Sequence, residues 1–243
     1  MNAEIEIEEV DRDGAVAETR AEALEALEQE GDTRAAFLRK TGLAGAVFGG
    51  GAVLGALVPS AALAAGSRPP AAFGKGDIGI LNFALTLEYL ESTYYNEAAA
   101  NLTGLDAQTG EFLGVAQFDE NQHVKRVHAT ILALKGKPVA KPKFDFKGVN
   151  TAVTSFLETA FALENTGVHA YGGQAANLTH PTVKAAALSI ITIEARHAAA
   201  AALILGKQAY PINPNGAFDN TLTAAQVIKI AKGTGFIVSG SII

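Results

Sequence analysis

A Glu-x-x-His motif occurs twice in this sequence and constrains the fold more than any other feature. Glu120 and His123 lie in FDENQHVKRVHATIL, and Glu194 and His197 lie in ITIEARHAAAAALIL, two segments rich in helix-forming residues. Residues i and i+3 of an α-helix share one face and lie about one turn apart. Each motif can therefore present a carboxylate and an imidazole together, and two such helices facing each other would join the pairs.

Four long helices are predicted between residues 77 and 206. In the first, a single stripe at helical spacing passes through Leu81, Leu85, Glu88 and Tyr95, and Asp77 is predicted to cap its start. The four predicted helices cover about 78–102, 111–134, 149–176 and 181–206. The proline-containing segment 136–148 predicts a non-helical connection long enough to cross a bundle.

This order of elements predicts an all-α fold, a four-helix bundle with a long crossover between its second and third helices. A short C-terminal helix is predicted over 221–233. The chain is predicted to begin with an acidic arm and export signal at 1–65 and a linker at 66–76. The bundle follows at 77–206, and a loop, the short helix and an apolar tail occupy 207–243.

The two halves of the predicted bundle repeat one pattern of side chains. Each half has a glutamate, a tyrosine seven residues later, and a Glu-x-x-His motif 30 or 32 residues after the first glutamate. The first copy consists of Glu88, Tyr95 and Glu120, and the second of Glu164, Tyr171 and Glu194. The motif therefore occurs twice because the bundle is built from two similar helical hairpins.

The combined set of four carboxylates and two imidazoles suits a pair of divalent metal ions. Glutamate on an apolar helix stripe is costly unless it is paired or bound to a metal, and Glu164 and Glu194 have apolar neighbours. Mg²⁺ and Ca²⁺ fit poorly because they favour all-oxygen shells, and the absence of cysteine excludes thiolate sites. The predicted metal ligands are Glu88, Glu120, His123, Glu164, Glu194 and His197.

Other histidines and glutamates near the motifs do not share the stripe. His128, His169 and His180 are predicted to be surface or helix-capping residues. Glu91, one turn after the first glutamate, could assist the metal site, whereas Glu158 is predicted to be solvated.

The charge of the chain is concentrated in its first quarter. Residues 1–64 contain 12 acidic and 5 basic residues, whereas residues 65–243 contain 13 acidic and 14 basic residues. The predicted bundle is therefore nearly neutral and has no dense basic patch, so no nucleic-acid partner is expected.

An export signal is predicted between Arg34 and Ala64. TRAAFLRK supplies positive charge, an uncharged stretch of 23 residues follows, and Ala62-Leu63-Ala64 has the A-x-A pattern of a signal peptidase site. TRAAFLRK is similar to a twin-arginine signal, although Ala35 stands in place of the second arginine. An uncleaved membrane anchor is the alternative, and membrane contact is expected only through this segment. The predicted location is the periplasm or cell envelope.

Four segments carry a family resemblance: LTLEYLESTYY, DENQHVKRVH, FALENTGVHAY and TIEARHAAAAAL. They resemble the ferritin-like superfamily of di-metal carboxylate proteins over residues 76–206, and more closely the exported bacterial ferritin-like domain family, which includes desiccation-related proteins. The resemblance implies a ferritin-like bundle in which the six predicted ligands bind two ions. It also implies that Tyr95 and Tyr171 form hydrogen bonds with ligand carboxylates.

The resemblance predicts the fold better than the activity, because one fold hosts many functions. The first expectation is a di-iron protein that oxidises Fe²⁺ with O₂ or peroxide at the cell envelope, in the context of oxidative stress. A manganese catalase-like enzyme and a non-catalytic stress-protection or desiccation-related structural protein are the alternatives. Beyond the metal ligands, no catalytic or cofactor-binding residue is assigned, and the sequence is compatible with an oligomer.

Overall fold

The computed structural model describes residues 68–206, 219 and 221–240. The predicted acidic arm and export signal lie outside the described residues, as do 207–218 and the last three residues of the apolar tail. The described helices are α1 (Gly76–Asn101), α2 (Ala107–Ala133), α3 (Val153–Ala175), α4 (Pro181–Ile204) and α5 (Ala224–Thr234). A single 3-10 turn at Ala71–Phe73 precedes α1.

The predicted all-α bundle is confirmed. Helix α1 pairs with α2, and α3 pairs with α4, so the bundle consists of two antiparallel hairpins with short turns. Residues 134–152 run between the hairpins as the long crossover. The predicted short C-terminal helix is also present as α5, which packs against α3.

Three predicted helix starts need correction. Helix α3 begins at Val153 rather than 149, because the backbone N–H groups of Val149 and Thr151 instead donate to turn hydrogen bonds with Phe146 and Gly148. Helix α2 begins at Ala107 rather than 111, because the Asp106 side chain accepts a hydrogen bond from the Thr109 backbone N–H at 2.9 Å and caps the first turn. Asp77 does not cap α1, whose N-cap is Lys75. The Asp77 carboxylate instead accepts hydrogen bonds from the backbone N–H groups of Thr179 and His180, where α4 begins.

A small β-bridge joins the crossover to the chain after α5. Strand β1 (Lys143–Phe144) pairs antiparallel with β2 (Ile237–Ser239), so part of the apolar tail has a defined strand conformation. Gly235 has a φ of 66°, a left-handed conformation that glycine adopts readily, and it turns the chain from α5 into β2.

Two of the three apolar clusters of the described residues lie towards opposite ends of the bundle helices, and the third packs α5 against α1 and α3. Of the first two, one is aromatic and includes Tyr94, Tyr95, Phe112 and Phe156. The other is mainly aliphatic and includes Leu81, Leu85, Val127, Ile131 and Ile190. The four glutamates of the predicted site lie between these clusters along their helices, so they occupy the middle of the bundle.

Helix α4 is the one described helix that is long and apolar enough to cross a membrane by length and composition. In the fold it packs along α3, and its buried side chains include Val183, Ile190 and Ala198. The same buried side carries Glu194 and His197. These contacts are those of a bundle helix.

Candidate metal centre

Each of the four bundle helices contributes one fully buried glutamate to the centre of the protein. Glu88 comes from α1, Glu120 from α2, Glu164 from α3 and Glu194 from α4, and each is 0% exposed. The two histidines of the motifs join them, His123 at 8% and His197 at 4% exposure. The structure thus brings together all six residues that the sequence predicts as ligands; metal binding by them stays a prediction.

Around His123, three carboxylates converge on one nitrogen atom. Its Nδ1 lies 3.5 Å from Glu88 Oε2, 3.3 Å from Glu120 Oε2 and 3.2 Å from Glu194 Oε1. A single N–H can donate a well-directed hydrogen bond to only one of them, and here the partner is Glu120. Convergence of three oxygens and a nitrogen on one small volume is the arrangement that a divalent cation requires.

A second group of the same kind surrounds His197. Its Nδ1 lies 3.3 Å from both Glu120 Oε1 and Glu164 Oε2. Glu120 therefore points one oxygen at each histidine and lies between the two groups. A carboxylate in that place can bridge two ions.

Several carboxylate oxygens in this cluster have no hydrogen-bond partner among the described residues. They are Glu88 Oε2, Glu120 Oε1 and both oxygens of Glu194, and all are buried. Leaving a buried polar atom unpaired costs about 1–3 kcal/mol, and more for a charged group. Bound cations would remove this cost, so these atoms fit a metal-binding role.

Two tyrosines hold the outer oxygens of the glutamates on the facing helix. The Tyr95 hydroxyl of α1 donates to Glu164 Oε1 of α3, and the Tyr171 hydroxyl of α3 donates to Glu88 Oε1 of α1. Each bond leaves the other oxygen, Oε2, facing a histidine. The tyrosines thereby fix the orientation of the two single glutamates.

Asp119 was not among the predicted site residues. Its Oδ2 lies 3.1 Å from Nε2 of His197, and acceptance of the Nε2 proton would leave Nδ1 as the metal-facing atom. The residue directly precedes Glu120, so the DENQH segment contained the signal. The second motif has Ile193 at the matching place, which is why comparison of the two copies did not reveal Asp119.

The remaining candidates separate into one buried residue and several peripheral ones. Glu91 is 3% exposed and lies in the cluster, which fits the prediction that it could assist the site. Glu158 is exposed on α3, and His180 is the N-cap residue of α4. His128 and His169 are half-buried, and His169 Nε2 lies 3.6 Å from Asp219.

Burial and mutual repulsion shift the protonation of the cluster strongly. Burial raises the pKa of Glu120 to about 7, and the charge of Glu194 adds to this rise. The pKa of Glu194 is well above its usual value, first through burial and then through the charge of Glu164. Burial alone would lower the pKa of His197, but Glu120 and Glu164 outweigh it and raise that pKa to about 11. The metal-free cluster must therefore hold protons that divalent ions would replace.

A surface cavity between α2 and α4 borders this centre at His197. Its wall is mostly apolar. The cavity is lined by Phe112, Val115, Arg196, His197, Ala200 and Leu203, among others. One residue of the cluster, His197, therefore forms part of the wall of a surface cavity.

Residues 76–207 match the family described as ferritin-like domain. The chain belongs to this ferritin-like domain family. The matched segment contains all four bundle helices and every residue of the candidate centre. No curated protein matches the chain by sequence. Membership of the ferritin-like group is thus confirmed, whereas kinship with exported and desiccation-related proteins stays a prediction.

Proposed function

We propose that this ferritin-like protein binds two iron ions in the mid-bundle cluster and oxidises Fe²⁺ with O₂ or peroxide. The observation that carries this proposal is the shell of four fully buried glutamates and two histidines, in which four carboxylate oxygens have no hydrogen-bond partner within the described part of the chain. Manganese fits the same ligand types, since carboxylate and imidazole ligands serve both metals.

Charge balance supports two ions rather than one. Four carboxylates in an apolar interior repel one another, and two divalent cations carry the charge that cancels them. The histidines lie in two separate groups that share Glu120, so each ion would have one imidazole. Metal binding should therefore stabilise the folded bundle, because the unfolded chain lacks this shell.

The described side chains define what each part of the site would do. Glu120 would bridge, His123 and His197 would each bind one ion through Nδ1, and Tyr95 and Tyr171 would keep the single glutamates in place. When bound, a pair of Fe²⁺ ions supplies two electrons at one place, which together with two protons reduce one peroxide to two waters. The cavity that His197 helps to line would admit the oxidant.

A loading and oxidation experiment tests this function. Metal-free protein is loaded with Fe²⁺ under anaerobic conditions, passed through gel filtration, analysed for metal and then exposed to O₂ or peroxide while Fe³⁺ formation is followed. The parent should hold two ions per chain and oxidise them faster than free Fe²⁺. The variants His123→Ala and Glu194→Gln should lose metal, whereas Glu158→Gln, which changes an exposed glutamate of α3, should behave as the parent.

Two outcomes would contradict the proposal. Equal metal content in the parent and the His123→Ala variant would show that the cluster is not the binding site. Binding without accelerated oxidation would favour a non-catalytic structural role, and oxygen release from peroxide with manganese alone would favour the catalase-like alternative.

We further propose that the mature protein is exported and begins near Ala65. The basic segment, the uncharged stretch and the A-x-A pattern that precede this residue support the proposal. N-terminal sequencing of the native protein checks it, and a mature chain that still contains the acidic arm would contradict cleavage.

A further inference from the structure

The cluster contains a fifth buried carboxylate that the two-copy pattern does not explain. Glu91 lies one turn after Glu88 on α1 and is 3% exposed. The matching place in the second copy, three residues after Glu164, is Gly167. The two halves of the bundle therefore differ in the middle of the site, with a carboxylate on α1 and no side chain on α3.

Gly167 provides the space that this extra carboxylate uses. A Cβ atom at position 167 would collide with Glu194 Oε2 and would lie 3.2 Å from Glu194 Cδ and 3.3 Å from Glu91 Oε1. Both carboxylates thus reach the volume that any larger residue would occupy. The missing side chain on α3 and the added one on α1 are complementary.

Glu194 directs its two oxygens to different places. Oε1 lies 3.2 Å from Nδ1 of His123, whereas Oε2 lies on the Gly167 side, fully buried and without a hydrogen-bond partner among the described residues. Glu91, Glu164 and Glu194 each offer an oxygen, and the three lie within 4.8 Å of one another. An unpartnered buried oxygen directed at two further carboxylates indicates a cation-binding position.

This oxygen-rich group shares Glu164 with the group around His197 and Glu194 with the group around His123. The His123 group already contains three carboxylates, whereas the His197 group contains two, so Glu91 would supply the third carboxylate at His197. We infer that Glu91 is a seventh metal ligand, binding the ion that Glu164 and His197 hold, so that the two metal positions are chemically inequivalent. This inference rests on the proposed two-metal function and assigns Glu91 to one of its two ions.

The extra carboxylate has a consequence for charge. Two divalent ions cancel the negative charges of four of the five carboxylates. The fifth carboxylate adds negative charge at the His197 position and so favours a more highly charged ion there. The His123 position has no counterpart of Glu91, since Gly167 stands there. The His197 position should therefore bind the first divalent ion added and hold it more tightly.

Stepwise metal titration tests the inference. Metal-free parent, Glu91→Gln, Glu91→Asp and the exposed-site control Glu158→Gln are titrated with Mn²⁺ by calorimetry, and bound metal is counted by elemental analysis. The parent and the control should bind two ions with different affinities. Glu91→Gln should weaken one of the two steps by at least about 10-fold, the low end of the losses seen when residues beside a metal site are changed, and leave the other step.

Glu91→Asp separates ligation from charge, because it keeps the negative charge but withdraws the carboxylate by one methylene group. Loss of the same step in this variant supports direct binding, and parent-like affinity overturns it. Two unchanged steps in Glu91→Gln would also overturn the inference. So would a third ion in the parent that Glu91→Gln abolishes, since Glu91 would then form a separate site. A parent that binds no metal would instead refute the proposed function itself.

Discussion

Replacing Gly167 with alanine is the sharpest single test of the site geometry. The new Cβ would collide with Glu194 Oε2, and the nearest other atoms are Glu194 Cδ at 3.2 Å and Glu91 Oε1 at 3.3 Å. The atoms that must move are therefore those proposed to bind metal. Glu194 is fully buried, so its carboxylate can move only by disturbing the cluster.

The expected magnitudes differ between folding and metal binding. Alanine in a helix interior gains up to about 1 kcal/mol over glycine, while overpacking of a filled site costs about 1–3 kcal/mol. The metal-free Gly167→Ala protein should therefore lose only about 0–2 kcal/mol of unfolding free energy. Its metal affinity should fall at least about 10-fold, because the displaced oxygen belongs to the proposed ligand shell.

The control for this experiment is Gly114→Ala. Gly114 is exposed in the interior of α2, and no atom lies within 4 Å of the position that its Cβ would take. This variant should gain about 0.5–1 kcal/mol in urea unfolding and bind metal as the parent does. If Gly167→Ala also kept the metal affinity of the parent, Glu194 Oε2 would not be a metal ligand and the geometric argument would be refuted.

Three further perturbations test the charge and packing of the fold. Metal-free protein should lose stability as the pH rises. The reason is that folding raises the pKa of Glu120 to about 7 and the pKa of His197 to about 11. The stability that each of these groups contributes is complete below its pKa in the unfolded chain and is lost as the pH rises through its pKa in the folded protein. Thermal unfolding with a chelator measures this slope, expected at up to about 1.4 kcal/mol per pH unit for each group, and metal-loaded protein should show the opposite slope. Glu194→Gln should stabilise the metal-free bundle near neutral pH while lowering metal content, because folding of the parent must protonate this buried glutamate, whereas glutamine is neutral in both states. An unstabilised metal-free variant would count against the raised pKa of Glu194. Gly173→Ala should cost about 1–3 kcal/mol in urea unfolding, because its Cβ would overlap the Leu222 carbonyl oxygen, yet it should leave the metal stoichiometry unchanged.

Local patterns in the chain were sufficient to predict the helices and the main cluster. Helical spacing of apolar residues depends only on the nearby sequence, and it located α1 and α4 closely and predicted α3, which begins at Val153 rather than 149. The i, i+3 spacing also placed Glu120 beside His123 before any tertiary contact was known. In the second motif the pairing is different, since Glu194 Oε1 lies beside His123 of another helix. Even the start of α2 was encoded locally, by the cap at Asp106, although the glycine-rich turn concealed it.

The contacts between helices were decided only by the tertiary structure. Asp119 meets His197 across 78 positions of the chain, and β2 pairs with a strand far earlier in the sequence. The role of Glu91 depends on the space left by Gly167 on another helix. Periodicity gives the face of a helix on which a residue lies, but the rotation and separation of packed helices determine which atoms meet across the core. The sequence by itself therefore determined which residues could serve as ligands, and only packing decided how their oxygens are shared between two positions.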